Sequence, residues 1–126
     1  MSQSLRFLHF DASEDSSGLA SFEAMASVGA AQWPALQAEV AQVLDWAHHG
    51  YAGVRGALEE DGDWDYDLHA TQETVCTLEL DFDPELGQLG GRPLDDGMPR
   101  YTLTLTLGGT AGFAEALRAR FDLDAD

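Results

Sequence analysis

The densest concentration of chemistry-bearing side chains is Glu59–Asp67, where six of nine residues are acidic. Within it, Asp61-x-Asp63-x-Asp65 has the spacing that opens a calcium loop, since hard cations need clustered oxygen ligands. The pattern then breaks. Tyr66 stands where such a loop needs glycine, and Gln72 stands where the closing bidentate glutamate belongs, with Glu73 one residue late. Alternation offers another account. Trp64, Tyr66, Leu68 and Ala70 share one parity, and Asp63, Asp65, Asp67 and His69 share the other. An extended backbone would turn those aspartates outward as a solvated strand face, the usual place for charge. Asp61, Asp63, Trp64, Asp65, Tyr66 and Asp67 are therefore read as an interaction surface. Asp61, Asp63, Asp65 and His69 are the alternative metal set.

Other groups carry weaker signals. The pairs Asp81/Asp83 and Asp95/Asp96 would serve acid–base chemistry only if their surroundings drove their pKa values apart. A zinc site needs three or four converging ligands. His48 and His49, adjacent on a helix, point about 100° apart, while His9 and His69 fall on different strands. Cys76 shares the parity of Leu78 and Leu80, so a small apolar core residue is expected rather than a nucleophile. Gly108 to Gly112 lies between a strand and a helix but lacks the lysine and spacing of a phosphate loop. Trp33, Trp46, Tyr51, Trp64 and Tyr66 are core candidates, with Trp64 and Tyr66 the best placed for an interface.

Charge narrows the partners. Twenty-three carboxylates oppose six cationic side chains over 126 residues, a net charge of −17. All six are arginines: Arg6, Arg55, Arg92, Arg100, Arg118 and Arg120. Nucleic-acid binding needs basic groups that replace counterions, and no basic run exists. Anionic membranes would repel the chain. Self-repulsion opposes compaction, so moderate salt is expected to raise the melting temperature; an unchanged melt would refute this. One cysteine permits no internal disulfide. The opening residues carry neither a basic leader nor a sustained apolar stretch, and a cytoplasmic protein is expected.

The elements that must position these groups follow from periodicity. Leu5–Phe10 reads as a strand covered on both faces, and Asp11–Gly18 as a turn. Leu19–Val28 fits either strand or helix; a strand in a hairpin with the first is preferred. Pro34–His49 is a clear amphipathic helix, with Gly50 as its stop. Residues 64–83 read as two strands in a hairpin, or one bent strand. Residues 84–99, rich in Gly and Pro, form a long and flexible loop. Arg100–Leu107 alternates Tyr101, Leu103, Leu105 and Leu107 with threonines, as a half-buried strand does. Thr110–Phe121 is a short helix, followed by an acidic frayed tail at 122–126.

The whole chain, 1–126, is thus expected to be one α+β domain of order β-β-α-β-β-β-α. An antiparallel sheet with two helices on one face is the simplest two-layer packing for these stripes. The function expected is a small non-catalytic binding protein that presents carboxylates to a basic protein, with no cofactor. The rival is a divalent-metal-dependent hydrolase using the Asp61–Asp67 carboxylates, with residues 84–99 as a lid. Sheet edges or exposed aromatics also leave a homodimer open.

Overall fold

The computed structural model describes residues 3–58 and 61–123. Along the chain run β1 (Asp11–Glu14), β2 (Ala20–Gly29), α1 (Trp33–Asp45), a π-helical turn (Trp46–Gly50), β3 (Trp64–Val75), β4 (Leu78–Asp83), β5 (Gln88–Pro93), β6 (Met98–Gly109) and α2 (Ala111–Phe121). Four strands make an antiparallel sheet in the order β1-β2-β6-β3, and β4 pairs with β5 alone. The fold is α+β, with the helices layered on one face of a mainly antiparallel sheet. Element order follows the sequence expectation, with β5 as an added strand within 84–99. No helix among the described residues is long and apolar enough to cross a membrane.

The core lies between the helices and the two central strands. On β2, Ala20, Phe22, Ala24, Ala26 and Val28 are buried while Glu23, Met25 and Ser27 are exposed. That period of two resolves the ambiguity of this segment in favour of a strand. Leu103, Leu105 and Leu107 of β6 complete the sheet's inner surface. Leu36, Val40 and Val43 of α1, Ala47 of the π-helical turn and Phe113, Ala114, Leu117 and Phe121 of α2 pack in the same core. Pro34 sits in the first turn of α1, where its missing N–H costs nothing. The Thr110 side chain caps α2 by accepting from the Phe113 N–H. Arg118 and Arg120 lie in the last turn, complementing the dipole.

Three expectations are corrected. Leu5–Phe10 is not a strand. It is an irregular segment whose Leu8 is buried, and the strand is the following Asp11–Glu14. The reason is Glu39 on α1, the one charged side chain in the buried class among the described residues. Its Oε1 accepts from the Arg6 N–H (2.6 Å), and its Oε2 accepts from those of Phe7 (2.8 Å) and Leu8 (2.7 Å). Backbone donors satisfied by a carboxylate need no neighbouring strand. The true β1–β2 turn is organised by Asp15, whose Oδ1 accepts from the Ser17 and Leu19 N–H groups, and by Gly18 at φ 89°.

The second correction concerns 64–83. β3 and β4 do not pair with each other. β3 runs beside β6 from Trp64↔Gly109 to Val75↔Met98, and β4 then pairs with β5 from Leu78↔Pro93 to Asp83↔Gln88. The result is a two-stranded arm that continues the β3/β6 ladder past an uneven break. Cys76 and Thr77 on one side face Leu94 to Gly97 on the other. Thr77 bridges the break: its carbonyl accepts from the Leu94 N–H (2.8 Å), and its N–H donates to Asp96 Oδ1 (3.0 Å). Part of the Gly- and Pro-rich segment 84–99 is thus regular strand, with Gly87 at φ 63° in the connection at the arm's tip. The third correction is Cys76, which is exposed rather than packed in the core.

At the C-terminus Asp122 closes α2 in the left-handed conformation, φ 55°, and Leu123 packs against the core. The remainder of the expected tail, 124–126, lies outside the described residues, as do Glu59 and Glu60.

Candidate interaction surface

The segment leading into β3 is fixed by backbone contacts. Gly56 donates to the Trp64 carbonyl (2.9 Å) and Gly62 to that of Ala57 (3.1 Å). Asp63 donates its N–H to the Val54 carbonyl (2.8 Å), while its Oδ2 accepts from the Val54 N–H (2.7 Å). Asp65 Oδ1 accepts from Arg55 Nε (3.0 Å) and from the Tyr66 N–H (2.9 Å). The Arg55 guanidinium also lies over the Tyr66 ring, 4.9 Å from its centroid. Asp61 is exposed at φ 67°, and Asp67 is exposed on β3.

These contacts separate the residues that the sequence grouped. Asp63 and Asp65 turn to different partners, and among the described residues no three His, Cys, Asp or Glu side chains are gathered to hold a metal ion. His69 is exposed further along β3. Trp64 is not a surface residue. It is 1% exposed, stacked on Phe113 at 5.6 Å and met edge-on by His48 at 5.0 Å. Its Nε1 is buried without a hydrogen-bond partner. Core burial overtakes Trp64 because it enters β3 opposite Gly109, directly beneath the Phe113 ring. Tyr66 is half-buried beside it, 6.1 Å away.

The sheet face opposite the helices brings other residues in. Residues directly paired across a sheet project to the same side. Asp11 pairs with Glu23, Glu23 with Thr106 and Thr106 with Asp67. One row therefore reads Asp11–Glu23–Thr106–Asp67, with all three carboxylates exposed. The next rows are Met25–Thr104–His69 and Ser27–Thr102–Thr71, the hydroxyls of Ser27 and Thr102 lying 3.2 Å apart. Asp11 and Glu23 were not singled out in the sequence. The strand order that aligns Glu23 with Asp67 is not a local property of the sequence.

The chain matches no family model, no curated protein and no solved structure.

The arginines lie against the chain's own groups. Arg55 engages Asp65, Arg92 engages Glu79 Oε1 (2.7 Å from Nη2), and Arg100 reaches Ser27 Oγ (3.0 Å). Arg118 stands 3.9 Å from Glu14 and over the Phe22 ring, and Arg120 contacts Gln3 and Phe121. Arg6 lies over the Phe7 ring. The row Asp11–Glu23–Thr106–Asp67 contains no cation to balance it. Two aspartates elsewhere titrate below their ordinary value. Asp15 is held down by the Ser17 hydroxyl and the Leu19 backbone, and Asp96 by hydrogen bonds from Thr77.

Proposed function

We propose that this is a non-catalytic binding domain, acting in the cytoplasm, that offers the helix-free face of its sheet to a basic protein. The observation that carries the reading is the exposed row of Asp11, Glu23 and Asp67 across three strands. A net charge of −17 surrounds it, so long-range attraction would speed encounter with a cationic partner more than it would deepen the final complex. A rigid sheet holds the carboxylates at fixed spacing, which favours arginine forks on the partner. The flanking Ser27, Thr102 and Thr104 supply neutral donors and acceptors. Metal-assisted hydrolysis is the less favoured reading, because Asp63 and Asp65 direct their oxygens to Val54 and to Arg55 and Tyr66.

The test is affinity capture from the native host at low ionic strength, with wild type beside an Asp11→Asn, Glu23→Gln, Asp67→Asn variant. A basic protein should be retained by wild type, released by salt and lost by the variant. Equal capture by both, or none by either, would reject the proposal.

A further inference from the structure

Alternation along the arm divides it into two chemically opposite faces. Leu78, Leu80 and Phe82 of β4 lie on one side, opposite Pro93, Gly91 and Leu89 of β5. Glu79, Asp81 and Asp83 lie on the other side, opposite Arg92, Gly90 and Gln88. The first face carries no charge at all. Nothing among the described residues covers it: Leu78, Leu80, Phe82 and Leu89 are 59%, 61%, 58% and 66% exposed. Leu80 leans over Gly91, where an added Cβ would stand 2.9 Å from its Cδ2. That closes the gap in the middle of the face and leaves one continuous apolar strip.

A two-stranded ribbon alone in water is marginally stable, and contiguous exposed apolar patches mark contact sites. We infer that the β4–β5 arm is a self-association surface, and that its occupant is the same face of a second copy of this chain. Two considerations select the copy. First, the strip offers a partner only apolar contact, and its own twin is a surface of equal size and neutrality; two-fold pairing is isologous and closes.

Second, face-to-face packing keeps the acids apart. Stacked sheets sit about 10 Å apart, and the carboxylates project from the far sides of both. Their separation then exceeds the screening length of about 8 Å at physiological salt. The four side chains on each arm would bury on the order of 1,000 Å² in total, near the lower bound for a specific interface.

The arm surface is separate from the acidic row, and salt distinguishes them. A complex driven by the carboxylates weakens as salt rises. The arm dimer strengthens, because screening relieves repulsion between two chains of charge −17. Sedimentation velocity on the full chain, from about 1 to 300 µM in low and in roughly 0.5 M salt, reads both the mass and this sign.

The expected result is a monomer–dimer equilibrium that tightens about threefold or more with salt. Leu80→Thr with Phe82→Thr, which keeps β-formers in the strand, should weaken it at least tenfold (about 1.4 kcal/mol). Asp81→Asn on the opposite face should not weaken it. Leu89→Thr on the partner strand repeats the test if the double variant misfolds. A chain that stays monomeric throughout, a dimer that survives these threonine variants, or a dimer that salt dissolves would each overturn the inference.

Discussion

Removing the Glu39 carboxylate should release the segment around Arg6, Phe7 and Leu8. Three backbone N–H groups, at 2.6, 2.8 and 2.7 Å, converge on its two oxygens. Hydrogen bonds to a charged acceptor contribute about 1.5–3 kcal/mol each, and a buried donor left alone costs about 1–3 kcal/mol. Arg6 is exposed and Phe7 half-buried, so their freed N–H groups can take water. Leu8 is 1% exposed, and its donor cannot. Counting one orphaned donor and two partly compensated ones, Glu39→Ala should cost about 3 kcal/mol. For a domain of this size that lowers the melting temperature by about 10–15 °C.

Glu39→Gln should cost about half as much. Its one carbonyl oxygen can serve Phe7 and Leu8, but its amide then faces the Arg6 N–H donor to donor. Thermal melts by circular dichroism give the ranking, and amide exchange at Arg6, Phe7 and Leu8 gives the location. If Glu39→Ala melted within about 2 °C of wild type, with those three amides still protected, the anchoring role would be refuted. Apolar contacts, such as Phe10 edge-on to Phe22 at 6.5 Å, would then hold the segment.

Other expectations follow from single contacts. Gly62→Ala would drive a Cβ into the Gly56 backbone carbonyl; since neither backbone can yield cheaply, a loss of about 2 kcal/mol or more is expected as a lower urea midpoint at unchanged slope. Trp64→Phe removes a buried and unpaired indole N–H along with some core volume, so stability should change by less than about 1 kcal/mol. A loss above about 2 kcal/mol would refute that balance of an unpaired donor removed against core volume lost. Asp96 is depressed by its hydrogen bonds from Thr77, so its stabilising effect is present above the unfolded value and disappears as pH falls through the folded one. Carboxyl NMR should show Asp96 titrating below ordinary aspartates with the Thr77 amide following it; titration at the ordinary value would refute the latch.

The parts legible in the sequence are those where one residue's environment is set by its near neighbours. α1 and β6 show one-sided burial at periods of 3.6 and 2, because each lays a single face on the core. Leu5–Phe10 misled because both of its parities are apolar, the mark of a covered strand. Its donors instead go to Glu39, 31 to 33 residues away, and no local pattern announces that.

The arm misled in the opposite sense. Leu78, Leu80 and Phe82 alternate with acids as a core-facing strand does, yet they face outward. Periodicity reports which side chains share a side, not whether anything lies upon it. The candidate surface was half legible. Asp67 and its outward neighbours could be read from parity, whereas Asp11 and Glu23 join them only because β6 lies between β2 and β3.

The break between Val75 and Leu78 bears on how the molecule comes apart. Two residues oppose four there, and the ladders on either side are different sheets joined chiefly through Thr77. Opening β4–β5 therefore exposes no core residue, while opening β3–β6 exposes Leu103, Leu105 and Leu107. Heat should melt the two in separate steps, so that the calorimetric enthalpy exceeds the van't Hoff value, and amide protection should drop abruptly at Cys76.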